Sequence, residues 1–350
     1  MDYKEFYKDK KVLVTGGAGA IGSNLVKSLS ELGAKMVMVM DDLSSAEIWN
    51  LPSNKNILFA EGDILDEEKL KRAFLEGPDY VFHLAAFFAN QNSVDHPERD
   101  LAVNGMGTLK LLRYSQLAKI KRFIYASSGC SIYGSSAPLP LREEFMSLHL
   151  SSPYQITKML GELYCNFFLH HYNLPVVKTR FFNSYGPGEI PGQYRNVIPN
   201  FVYWAMKSRP LPITGTGDET RDFTFVGDIV DGLLRAGFFE KAVGKEMNLA
   251  SGKETKIIDL ARMINKNLNN KAGIYFIEKR KWDTKSRLCA SVDLANRLMG
   301  YKPKTSFNEG LKQTISWFKN NWNRIDKSAR FGPGMSSAVR ESKKARSKKR

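Results

Sequence analysis

A chain of 350 residues, 43% hydrophobic and 25% charged, can bury a large core and is not disordered throughout. No uncharged apolar run is long enough to cross a bilayer. The charged start "MDYKEFYKDK" is not a secretory signal, so the expected location is the cytoplasm, with no membrane partner. The net charge of +16 owes much to "RESKKARSKKR", Arg340–Arg350, which holds seven basic residues and one acidic. With "FGPGMSSA" before it, 331–350 reads as a disordered basic tail, solubilising or attracting anions without specificity. A nucleic-acid or membrane-surface contact is the alternative, and no specific nucleic-acid partner is expected. Cys130, Cys165 and Cys289 lie far apart without metal-ligand spacing, so neither a disulfide framework nor a metal is expected.

In chain order, the apolar runs "KVLVTG", "KMVMVMD", "NILFAEGD", "YVFHLAA", "RFIYASS" and "PVVKTRFFN" alternate with helical stretches. Short continuous apolar runs separated by helices predict a parallel sheet covered on both faces. That is a doubly wound α/β fold, which binds ligands at the carboxyl ends of its strands. After residue 180 the Gly- and Pro-rich "SYGPGEIPGQYRNVIP" predicts a long functional loop. The expected organisation is a nucleotide-binding domain over 1–180 with a return segment near 225–255. A smaller α/β substrate-binding domain takes most of 181–330.

The first strand runs into "GGAGAIG", where Gly16, Gly19 and Gly22 recur every third residue before the amphipathic "IGSNLVKSLSELG". Strand, glycine turn and helix together make a dinucleotide cradle, with the helix N-terminus facing a pyrophosphate. The next strand ends at Asp41, about 20 residues on, where an acid hydrogen-bonds the adenosine ribose. Asp42 follows, and "DDLSSAEIWN" carries no Lys or Arg for a 2′-phosphate, which favours NAD over NADP. Asp63, closing the third strand, is placed to hydrogen-bond adenine.

Two further stretches, "SPYQITK" with Tyr154 and Lys158 and "YASSGCSIYG" upstream, complete a pattern with the glycine turn. The chain thereby resembles the extended short-chain dehydrogenase/reductases that act on nucleotide sugars, and most of all UDP-glucose 4-epimerase-like enzymes. The resemblance runs from residue 11 to about 320, through "RFFNSYGPG", "TRDFTFVGDIVDGLL" and "LMGYKPKTSF". It implies a Rossmann fold and a homodimer joined through a helix pair that includes Ser152–His171. It also implies that Ala20, Ile21, Ile64, Leu84, Ala85, Ala86, Asn104 and Phe181 surround the cofactor. Tyr154 and Lys158, four apart on one helix, face the same way. A neighbouring ammonium, helped by the nicotinamide charge, would favour a phenolate base. Lys158 would also hold the nicotinamide ribose.

The hydroxyl partner of Tyr154 falls on Ser128 counting forward from the strand and on Gly129 counting back from "IYG"; Ser128 is preferred because glycine has no hydroxyl. The turn holds no carboxylate, unlike those of the related dehydratases and decarboxylases. Cys130 is either a small turn residue or an acid/base for 3,5-epimerisation, as a cysteine in a similar turn serves in GDP-mannose 3,5-epimerase. By resemblance, Asn183, Arg221, Arg280 and Asp283 hold the substrate diphosphate. The positive charge outside the tail suits a diphosphate substrate and cofactor. The implied activity is C4 epimerisation of a UDP-hexose. Other sugar-nucleotide chemistry (3,5-epimerisation, decarboxylation or net reduction) and a non-catalytic NAD-binding role are the alternatives.

Overall fold

The computed structural model describes residues 3–279 and 285–331. The tail beyond Phe331, and with it Arg280 and Asp283, lies outside the described residues.

The six apolar runs become six strands: β1 (Lys11–Thr15), β2 (Met36–Asp41), β3 (Ile57–Glu61), β4 (Tyr80–His83), β5 (Arg122–Ser128) and β6 (Val176–Phe181). A seventh, β7 (Glu246–Leu249), returns to pair with β6. All pairs are parallel, in the order β7-β6-β5-β4-β1-β2-β3. The order reverses between β1 and β4, and the cleft beyond their carboxyl ends is where such sheets take ligands. β5 is buried along its whole length, and its sequence is apolar from Phe123 to Ala126 with polar residues only at its ends.

Helix α1 (Ala20–Glu31) and helix α2 (Pro153–Tyr172) cover opposite faces of this sheet. On the α1 side Leu25, Val26 and Leu29 pack with Val12, Val14 and Val39; on the other, Cys165 and Phe168 of α2 pack with Phe123 and Tyr125. α2 begins where its sequence dictates. Ser152 caps it by accepting from Gln155 N–H, Pro153 fills the first helical position, and left-handed Asn173 ends it. Its twenty residues hold Tyr154 and Lys158 one turn apart on the buried side.

A separate apolar core gathers Ile198, Phe201 and Val202 of helix α3 (Val197–Met206) with Leu260, Ile264, Leu311 and Phe318. The segment 186–196 is tied to the end of the described chain by the Gln193 N–H to Arg330 carbonyl bond at 2.8 Å. No helix among the described residues is long and apolar enough to cross a membrane.

Candidate active site

A single cleft at the carboxyl ends of the strands gathers most residues of the expected site. Gly16, Gly19, Ala20, Ile21, Gly22, Asp41, Asp42, Asp63, Ile64, Leu84, Ala85, Ala86, Ser128, Tyr154, Lys158, Phe181 and Asn183 all line it. Gly16 has φ +70, and a Cβ there would sit 2.6 Å from Ala85 N, so this turn tolerates no side chain.

Asp41 is buried at the end of β2. One carboxylate oxygen accepts from Ala18 N–H and the other from Leu43 N–H, each at 2.9 Å. Burial nonetheless raises its pKa to about 6. Asp63 is held by Leu65 N–H and by the Arg99 guanidinium at 2.8 Å. Its carboxylate is therefore engaged by the protein while it lines the cleft.

Two expectations shift. Asn104 is absent from the cleft lining. Its amide bonds Phe87 N–H at 2.8 Å and the Asp100 carboxylate at 2.8 Å, so it fixes the cleft wall from behind. The absence of a cation near Asp41 holds along the sequence but not in space. Arg195, from the 186–196 segment, lines the cleft beside Asp41, Ser44 and Ser45 and donates to the Ser45 carbonyl. The lack of a nearby cation is therefore not what would turn away a 2′-phosphate.

In the same cleft, Ser128 lies beside the Tyr154 phenol and accepts from Ser131 Oγ at 2.9 Å. Gly129 stands where a Cβ would run into the Phe182 ring, so that position has no room for a hydroxyl side chain. Lys158 Nζ donates to the Ala126 carbonyl at 3.0 Å. It lies 5.3 Å from the Tyr125 ring centre and 5.7 Å from that of Tyr154. Burial pulls its pKa down to about 8, opposed by the Asp100 carboxylate.

The expected lowering of the phenol does not come from the protein itself. Burial pushes Tyr154 well above the ordinary tyrosine range. The Asp100 charge and Cys130 push the same way, and the nearby Ser128 hydroxyl only partly offsets them. His83, buried between Thr15 and Thr108 hydroxyls, is kept neutral with its pKa near 3.

No local pattern marks Asp100, whose carboxylate accepts from Thr157 Oγ1 at 2.6 Å inside the wall behind the pair. Glu189, Arg195 and Asn196 also line the cleft, and burial raises Glu189 to about 7. Asn183 and Cys130 line it too, with the thiol donating to Asn183 Oδ1 at 3.3 Å. Arg221 is not among the lining residues; its guanidinium bonds the Thr220 carbonyl at 2.8 Å. No group of three potential metal-ligating His, Cys, Asp or Glu occurs among the described residues.

A dinucleotide cradle joined to a tyrosine–lysine–serine cluster defines an NAD-dependent enzyme of the Rossmann class. The family model for the NAD dependent epimerase/dehydratase family matches residues 12–250, and this chain belongs to that family. The solved structure of the epimerase Mth375 from Methanothermobacter thermautotrophicus superposes with a TM-score of 0.94 at 56% identity, covering 95% of this chain and 98% of that one. The UDP-glucose 4-epimerase of Thermotoga maritima, solved with UDP-glucose, gives a TM-score of 0.85 at 35% identity, covering 89% and 99%. The UDP-glucose 4-epimerase of Mycolicibacterium smegmatis is 34% identical over 314 residues, 89% of this chain and 99% of that enzyme.

The cofactor of the family fits these residues. Besides the glycine turn and Asp41, Ser127 Oγ is buried in the cleft wall without a hydrogen-bond partner among the described residues, ready for a polar group of a ligand. The raised Tyr154 phenol yields a direct check. In nucleotide-free protein carrying ¹³C-labelled tyrosine, the resonance lost in Tyr154→Phe should remain that of a neutral phenol at pH 10. An ionisation midpoint below 10 would contradict the burial argument.

Proposed function

We propose that this chain is an NAD-dependent nucleotide-sugar epimerase that inverts C4 of a UDP-hexose through a transient 4-keto sugar. The observation that supports this reading most is the grouping of Ser128, Tyr154 and Lys158 in one cleft with the glycine turn. NAD, when bound, supplies the acceptor and later the donor of a hydride, and its positive ring favours the ionised phenol. Gly16, Gly19 and Gly22 would admit its pyrophosphate, Asp41 its adenosine ribose, and Lys158 its nicotinamide ribose.

Tyr154 takes the proton from the C4 hydroxyl as the C4 hydrogen leaves, and returns it after the keto sugar has turned. Ser128 holds the same oxygen and is itself oriented by Ser131. Lys158, fixed on the Ala126 carbonyl, keeps positive charge beside the phenol. Asn183, which lines the cleft, would tether the diphosphate while the sugar rotates, with Arg221, Arg280 and Asp283 carried to that role by the family resemblance alone. Cys130 is poorly suited to pull a proton from carbon, because burial raises its thiol and keeps it protonated. The turn from Gly129 to Gly134 carries no acid for dehydration.

Incubation with UDP-hexoses in D₂O, followed by product NMR, tests the reaction. The C4 epimer should form without carbon-bound deuterium, since the hydride never exchanges with water. Tyr154→Phe should lower kcat by about 10²–10⁴-fold, the usual contribution of a positioned base. Deuterium at C3 or C5 of the product would overturn the proposal in favour of proton abstraction from carbon.

We also propose a homodimer. Ile156, Leu163 and Phe167 on α2 are 54%, 50% and 49% exposed, an apolar stripe at helical spacing beside exposed Leu101 and Met106. Light scattering at micromolar concentration should give twice the chain mass, and Leu163→Glu should halve it. A monomeric wild type would contradict this assembly.

A further inference from the structure

The Gly- and Pro-rich segment 186–196 has no part in the mechanism above, yet its Glu189, Arg195 and Asn196 line the cleft. Asn24 on α1 donates to the Pro187 carbonyl at 2.8 Å, and Asn50 donates to the Gly188 carbonyl at 2.9 Å. Gly188 lies so close to the first turn of α1 that a Cβ there would stand 3.0 Å from Ser23 Oγ. The segment therefore passes beside the helix end that faces a pyrophosphate. Further on it is anchored again, with Gly192 N–H on Asn200 Oδ1 at 2.9 Å and Gln193 N–H on the Arg330 carbonyl.

The next two residues reach apart. Tyr194 donates its hydroxyl to the Asp95 carboxylate at 2.9 Å, and the Arg195 guanidinium donates to the Ser45 carbonyl. Asp95 lies downstream of β4 and Ser45 downstream of β2, and β1 runs between those two strands in the sheet. Tyr194 and Arg195 thus tie together the two rims that flank the glycine turn. A second, smaller cavity shares Ser44, Ser45, Phe88 and Arg195 with the cleft and adds Tyr194, so Arg195 stands between the two. Both ties are at the surface, where a hydrogen bond can open without unfolding what surrounds it.

We propose that Tyr194 and Arg195 form a latch across the mouth of the cofactor cleft, which must open before a dinucleotide enters or leaves. The inference rests on the NAD cradle and not on the reaction assigned to the cleft. Each tie joins protein group to protein group, so breaking one costs the same in empty and in loaded protein. A latch of this kind sets both rates of exchange and leaves affinity unchanged. Slow exchange suits a cofactor that is regenerated within each turnover.

Stopped-flow fluorescence of NADH tests it. Association is read on mixing with nucleotide-free protein, and dissociation by displacing bound NADH with excess NAD. Tyr194 is not among the residues that line the cleft, so its substitution removes no contact with the nucleotide. Tyr194→Phe should speed association and dissociation alike by about 3- to 10-fold, the worth of one hydrogen bond, with Kd constant to within about twofold. Asp95→Ala removes the same bond from the other side and should do the same, and the double variant should add nothing further. Faster dissociation with unchanged association would overturn the proposal, since the bond would then contribute to affinity. So would two unchanged rates, because the nucleotide would then pass by another route. Absence of any C4 epimer counts against the epimerase reading alone, while the exchange rates still decide the role of the latch.

Discussion

The reacting cluster depends on one buried ion pair. Arg180, on β6, grips Glu162 of α2 through two bonds, Nε to Oε1 at 2.9 Å and Nη2 to Oε2 at 2.8 Å. Its remaining Nη1 reaches the Tyr133 hydroxyl and the Glu143 carbonyl, both at 3.0 Å. Tyr133 in turn donates to Asn248 of β7 at 2.6 Å. A single guanidinium thus ties together the helix carrying Tyr154 and Lys158, the segment following Ser128, and the returning strand. Such a pair contributes little net stability because both charges lose their hydration, but losing one partner costs about 3–5 kcal/mol. Its value here is geometric, since the bidentate fork fixes the rotation of α2 against the sheet.

With that rotation fixed, the electrostatics of the cleft follow from burial. Lys158, Asp100 and Tyr154 share a wall from which water is largely removed, and each is displaced toward its neutral form. Asp100 supports the ammonium of Lys158 from behind and at the same time opposes ionisation of Tyr154. The protein alone therefore keeps the phenol protonated. In the proposed mechanism the base becomes competent when the positively charged cofactor is in place, which couples proton transfer to the presence of the hydride acceptor.

The parts legible in the sequence are those set by local pattern. The parallel sheet follows from strands buried on both faces, and the cradle from glycine spacing within a strand–turn–helix unit. The Tyr154 and Lys158 pair follows from a four-residue interval on a helix capped by Ser152 and Pro153. What escaped was set by chain-distant packing. Arg195 reaches Ser45 across 150 positions and Lys285 reaches Cys130 across 155, with no local signature at either end. Asp100 and Asn104 stand close to each other in sequence, yet only the wall around Phe87 and Thr157 shows what they hold. The one-residue ambiguity at Gly129 becomes intelligible through the Phe182 ring, which leaves room there for a glycine alone.

In the proposed reaction the same hydrogen leaves and rejoins C4 within one cleft. Turnover of a UDP-hexose deuterated at C4, in ordinary water with catalytic amounts of enzyme, tests this most directly. The C4-inverted product should keep all of its deuterium at C4. Protium at C4 of the epimer would contradict it, because the hydrogen would then have passed through solvent.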